Sequence, residues 1–229
     1  FLALLRLHPD EGLALIHNIV NHATRFWKIH EEQVERRHPL PQKIRLESRE
    51  KNVWGDCRVY CWCRFSSAAP SALTCALMAL EYQMQEEIKG GRDAKELFET
   101  VLRDTCSVAI VGVCASVGLA HWKTCPELLV PLLENPAFLE MDSYRYVQDM
   151  QEETHIEISS KYLSRGQDRA DYRLLKDDAR QEHRKNFLRN LILPILVMGS
   201  TEARSRLQSA MRKFPEHPPL YYEEEKSNT

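Results

Sequence analysis

The stretch that most limits what this chain can fold into is Thr105 to His121, TCSVAIVGVCASVGLAH, which contains no Asp, Glu, Lys or Arg. Val108, Ala109, Ile110, Val111, Val113, Ala115, Val117, Leu119 and Ala120 are interleaved with Gly112, Cys114, Ser116 and Gly118, so a helix built from it has no polar side. A helix that is apolar all round belongs in an interior. Val and Ile also suit a buried strand pair, but the length of the run favours helix. At about 17 residues it lies at the bottom of the range for crossing a bilayer, and Arg103, Asp104 and Lys123 stand close on either side. A membrane partner is therefore not expected, and the small residues instead predict close approach of neighbouring helices.

A chain of 229 residues holds one large domain or two small ones and can bury a substantial core. Its 31 basic and 33 acidic residues give a net charge of -2, which supplies no global attraction to nucleic acid or an anionic membrane. Seven cysteines, an odd number spread through apolar stretches, read as reduced thiols in a cytoplasmic protein. Neither GxxxxGK[ST] nor GxGxxG occurs, so a phosphate loop is excluded within these residues and no cofactor is expected. The opening, FLALLRLHPD, has no initiator Met, basic leader or small-residue cleavage site, which predicts a domain excised from a larger protein rather than a signal peptide.

Pro9, Asp10 and Glu11 suit a helix start, and Leu13, Ile16, Val20, Ala23 and Trp27 recur at helical spacing behind them. His17, His22 and His30 share no i, i+4 pair and read as surface or boundary histidines. Beyond a proline-punctuated loop at 35–41, Ile44 and Leu46 alternate with Lys43, Arg45 and Glu47, and Val59, Cys61, Cys63 and Phe65 alternate with Arg58, Tyr60, Trp62 and Arg64. These predict two strands of an inserted β-hairpin at about 43–65, with its tip from Arg49 to Gly55. Ser66 and Ser67 offer capping oxygens before a helix carrying Leu73, Leu77, Leu80, Met84 and Ile88, which stops at Gly90-Gly91. Asp93 caps a shorter helix, and after the central run a leucine-rich helix begins at Cys125-Pro126 and ends at Asn135-Pro136. From Asp142 to Tyr162 the apolar pattern weakens. Ser164 to Lys185 is dense in both charges and reads as a connector or exposed helix, because the acids interrupt any basic stripe. Phe187 to Leu196 is apolar again with Pro194 inside it, Ser200 caps a last helix, and HPPLYYEEEKSNT reads as a frayed tail.

The segment CSVAIVGVCASVGLAHWKTCPELLVPLLENPAF resembles one HEAT-type repeat unit, with a small-residue inner helix, a turn and a leucine-rich helix closing on Pro136. ALTCALMALEYQMQEEI with DAKELFETVL resembles a neighbouring unit. WGDCRVYCWCRF and ALMALEYQ are also similar to helical regions of very large bacterial ATPase-type proteins, although the phosphate-binding sequence itself is missing. The repeat resemblance covers about a third of the chain, shows no strict period and is interrupted by the hairpin. It implies a mainly α, α-solenoid-type stack of antiparallel helices used for macromolecular contact.

For chemistry, Cys57, Cys61, Cys63 and Cys75 are the candidate metal ligands, in a CxxxCxC spacing rather than the CxxC that zinc sites favour. The favoured reading is small apolar core thiols, with no metal expected. Cys125 lies four residues from His121 but has no third group to orient a base. Asp104, Glu152, Glu153 and Asp177-Asp178 are acids at surface-like positions, and adjacency in sequence does not make a catalytic pair.

The organisation expected is a helical domain over 1–163 with the hairpin insert, a charged connector at 164–185, C-terminal helices at 186–214 packing on the same domain, and a tail at 215–229. The function expected is a non-catalytic scaffold or protein-interaction domain whose partner is another domain of the same longer chain or a separate protein. The alternatives are a hydrolase-like or metal-dependent domain with a site assembled in space, and nucleic-acid binding through the charged connector.

Overall fold

The computed structural model describes residues 1–47, 49–64, 69–162, 180–216 and 221–223, and for 153–162 only the helical backbone. Helix α1 (Leu2–Leu7) runs into α2 (Pro9–Gln33), where Pro9 occupies a first-turn position whose N–H needs no helical partner. Asp10 and Glu11 sit at the positive end of the α2 dipole. The buried face of α2 carries Ile16, Val20 and Thr24, and also His17, which is only 5 % exposed. His17 is thus a core residue and not the surface or boundary histidine expected: its Nε2 lies 2.9 Å from the Val101 carbonyl, which satisfies the ring inside the protein.

The hairpin is present, but its second strand lies earlier than alternation predicts. β1 (Gln42–Arg45) pairs antiparallel with β2 (Glu50–Val53), placing Gln42 opposite Val53 and Arg45 opposite Glu50. The residues expected to form the second strand begin instead with a short helix, α3 (Cys57–Tyr60). Asp56 decides this locally, because its Oδ1 accepts from Arg58 N at 2.9 Å and Val59 N at 3.1 Å, an N-cap that a strand would forgo. Gly55 turns the chain at φ 138°, and a Cβ there would stand 2.3 Å from Val108 Cγ2. Val59 and Tyr60 are both fully buried, a consecutive pattern that no two-faced strand gives. Phe65 and the proposed caps Ser66 and Ser67 lie outside the described residues.

The hairpin is also tied to the core. Trp54 N donates to Cys106 O at 2.8 Å and Val108 N to Trp54 O at 3.0 Å, so its far end is stitched to the entry of the central helix. From α2, Asn21 Oδ1 accepts from Cys106 N at 2.8 Å, and the Thr24 hydroxyl lies 2.7 Å from Ser107 Oγ.

Helices α4 (Ser71–Lys89) and α5 (Ala94–Arg103) precede α6 (Val108–His121). Asp93 caps α5 and Ser107 caps α6, accepting from Glu96 N at 2.8 Å and Ala109 N at 3.2 Å respectively. Every α6 residue from Val108 to Leu119 is buried, with α3, α4, α5 and the 3-10 turns Pro126–Leu129 and Glu182–Lys185 packed around it. Gly112 and Gly118 allow two of these approaches, since a Cβ at the first would sit 2.4 Å from the Tyr60 carbonyl oxygen and at the second 2.4 Å from Leu129 Cδ2.

The leucine-rich helix expected after it is only a 3-10 turn followed by α7 (Val130–Leu133). Pro131 lies inside what would be one continuous helix from Pro126 and lacks the N–H that would donate to the Glu127 carbonyl, which splits the segment into two short pieces. Asn135 Oδ1 then accepts from Ala137 N at 2.9 Å and α8 (Pro136–Tyr162) begins. After the Glu182–Lys185 turn come α9 (Arg189–Met198), which contains Pro194, and α10 (Thr201–Lys213), capped by Ser200 Oγ 3.2 Å from Ala203 N.

The protein is mainly helical with one small antiparallel sheet, and among the described residues no helix is long and apolar enough to cross a membrane. Most of the charged connector, 164–179, lies outside the described residues. Its end does not fit the exposed reading, because His183 and Arg184 are buried. In the expected tail, Tyr221–Glu223 is docked: Leu40 N donates to Tyr221 O at 2.7 Å and Glu223 N to His38 O at 2.9 Å.

Candidate functional site

Of the polar groups that stand out, only Glu152 is among the candidate acids the sequence singles out. Against one side of α6 lies a buried cluster of Arg64, Arg145 and Arg184 with Glu81, Asp142, Asp149 and Glu152, each no more than 5 % exposed. Arg64 is its hub. Its Nη1 donates to Glu81 Oε2 at 2.8 Å, its Nη2 to Ser116 Oγ at 3.2 Å, and its Nε lies 2.7 Å from Asp149 Oδ1. Ser116, from α6 itself, donates to Glu81 Oε1 at 2.5 Å.

α8 contributes the acids because Asp142, Arg145, Asp149 and Glu152 recur at three- and four-residue intervals and share one face of the helix. Arg145 Nε donates to Asp142 Oδ1 at 2.6 Å and Arg145 also pairs with Asp149. The segment from 183 to 188 closes the cluster. Arg184 Nη1 reaches Glu152 Oε2 at 3.0 Å and Asp149 Oδ1 at 3.5 Å. Arg145 Nη2 donates to Asn186 O at 2.7 Å, and Leu188 N to Asp142 Oδ2 at 2.7 Å.

Burial opposes ionisation of Glu81, but Arg64 beside it and nearby His183 and Arg184 outweigh this and hold its carboxyl well below the usual range. For Arg64 burial is again the largest influence, and Asp149 with Glu81 overcomes it, so the guanidinium stays charged. Tyr60, whose hydroxyl is 3.4 Å from Asp142 Oδ1, is driven the other way: burial and then the Asp142 charge push its phenol well above the ordinary value. A carboxylate locked to a guanidinium is a poor carrier of a proton near neutrality. The arrangement acts as a charged lock, in which removing one partner strands the others.

The cysteines do not converge. Cys61 and Cys63 are buried, Cys57 is half-buried and Cys75 is exposed on α4, and among the described residues no group of three or more His, Cys, Asp or Glu is placed to hold a metal ion. Burial pushes the Cys57 and Cys63 thiols up to about 11, which removes thiolate character at neutral pH. Of the acids read as surface groups, Asp104 is exposed but Glu152 is buried against Arg184, a correction that follows from its place on the polar face of α8. Glu153, Asp177 and Asp178 have no described side chains.

His121 and Cys125 are joined through the backbone, Cys125 N donating to His121 O at 3.0 Å. The His121 Nε2 atom is buried without a hydrogen-bond partner among the described residues and lines a cleft of about 610 Å³ with His183, Lys89, Lys123 and Lys185. Burial first, then Lys89 and His183, lower its pKa.

A second polar site joins distant segments: the Tyr222 hydroxyl lies 3.0 Å from Glu31 Oε2 and 3.1 Å from Asp56 Oδ2, with Arg58 bonded to both carboxylates. Two more hollows open on the surface. One of about 660 Å³ lies between β1 and α10, and one of about 450 Å³ between α5, the 126–132 segment and the start of α10. No protein-family model matches the chain, and a search of curated proteins finds no match either.

Proposed function

We propose that this chain is a non-catalytic helical scaffold and protein-interaction domain, a HEAT-like stack of helices of the kind found in large ATPase-type proteins. The observation that supports it best is the mutual pairing of the buried carboxylates and arginines around α6, which spends the interior's ionisable groups on holding elements together. Short connections between α4, α5 and α6 suit a stacked arrangement of neighbours. The seven cysteines are all free thiols, in keeping with a reducing cytoplasmic setting. The partner is another domain of a longer chain or a separate protein.

An enzymatic reading has one specific observation in its favour, the His121 Nε2, which has no hydrogen-bond partner among the described residues and lies in a cleft shared with His183. The two are separated by screening the chain with ester, phosphoester and amide substrates beside a His121→Ala variant. The scaffold reading expects no turnover above background. Turnover by the wild type that disappears in His121→Ala would overturn it.

A further inference from the structure

The hollow of about 450 Å³ falls within the size of sites that hold ligands or side-chain anchors, roughly 300–1,000 Å³, and its two zones differ in chemistry. Phe98, Leu102, Leu128 and Leu132 form its floor, and all four belong to the buried core. Its described rim carries five carboxylates, Glu47, Asp93, Glu99, Glu127 and Glu202, against two cations, Lys95 and Arg206. Both cations are already engaged. Lys95 pairs with Glu47, and Arg206 pairs with Glu134 at 2.8 Å, leaving the mouth acidic.

That acidic field is felt by Lys95, whose pKa is raised first by the Glu47 contact and further by Glu202 and Glu127. On one side the hollow continues into the outer face of α9. Met198 lines it at 68 % exposed, and Leu193 and Val197, at 70 % and 67 %, extend the apolar strip back along the helix. An apolar floor, an apolar approach and a carboxylate rim together define their complement.

We propose that this hollow and the adjoining α9 face are the docking surface for a basic amphipathic helix of a protein partner, its leucine-type anchors in the hollow and its Lys or Arg residues on the Glu127 and Glu202 rim. The argument is charge complementarity around an apolar seat, the helix-in-groove mode of recognition. This rests on the interaction-domain reading above and names the surface and the partner chemistry for it.

The test titrates the full chain into a fluorescein-labelled Leu/Lys peptide with leucines at i, i+3, i+4 and i+7, read by anisotropy. Two control peptides replace every Leu by Ser or every Lys by Glu. Saturable binding by the Leu/Lys peptide alone is expected, weakened at least about tenfold by the double variant Glu127→Lys/Glu202→Lys and by Met198→Asp. Methyl NMR of the methionines in the unmodified chain should show the Met198 signal shifting on peptide addition while buried Met84 and Met141 hold still, a readout that needs no variant to fold. The proposal fails if no binding is seen up to about 1 mM, if the Ser control binds equally well, or if the Met198 signal does not move. Loss of this contact leaves the scaffold reading intact, whereas His121-dependent turnover would remove that reading without touching peptide binding.

Discussion

Arg64 meets Glu81, Asp149 and Ser116 from a position with almost no solvent contact, and each of those groups was desolvated to reach it. Its value to the fold is therefore best measured by what it leaves behind. Arg64→Leu keeps much of the apolar stem but leaves Glu81 in the interior without its guanidinium, while Asp149 retains Arg145 and Arg184, and is expected to cost about 3–5 kcal/mol, measured by urea denaturation. Partial compensation by Glu81→Met in the same chain would mark the loss as electrostatic rather than steric. A Ser116→Ala change removes a smaller term, because the Glu81 carboxylate keeps its arginine.

Among the elements, α6 fixes the packing, and at Gly112 it meets a neighbour's backbone directly. Gly112→Ala drives a methyl group into the Tyr60 carbonyl and should cost about 1–3 kcal/mol, even though alanine is the better helix former. Circular dichroism would then show unchanged helix content with a lowered melting temperature. α6 was legible in the sequence because an uncharged run has few alternatives, and the caps Asp93 and Ser200 mark helix starts through one short polar side chain each, whereas the Ser107 cap emerges only in the structure.

What escaped was set by nonlocal partners. In α8 the buried face is itself polar, so a search for apolar periodicity finds a weak pattern where a charged stripe at three- and four-residue spacing is the real signal. The shift of the second strand to Glu50–Val53 follows from the Asp56 cap outweighing an alternating pattern, and Val59 and Tyr60 were both wanted by α6 and α8. Of the polar cluster, Arg64 and Arg184 were invisible because sequence neighbours say nothing about which distant carboxylates they meet.

At the scale of the whole molecule, acid should weaken the fold in two steps. Burial lowers the His17 pKa below its ordinary 6.5, with only partial opposition from the Val101 carbonyl, and His121 is lowered as well. Below about pH 6.5 the unfolded chain thus binds protons that the folded one refuses, so stability is whole above that value and declines beneath it. Glu81, held well below 4.5, adds stability above 4.5 that is lost only as pH falls through its lower folded value. Urea midpoints followed from about pH 8 to pH 4 should show the first decline, and His17→Gln, which keeps a donor for Val101, should flatten it. A midpoint that rises on acidification would contradict the assignment.

The lock around α6 is finished by the chain's last third. Leu188 reaches back to Asp142 across 46 positions, Arg184 to Glu152 across 32, and Tyr60 forward to Asp142 across 82. During synthesis, then, Glu152 has no counter-ion from Arg184 until that residue has left the ribosome. Completion of the lock therefore waits on the loops that must close first, and a nascent chain halted before residue 184 lacks the Arg184 contacts to Glu152 and Asp149 and the Leu188 N–H on Asp142.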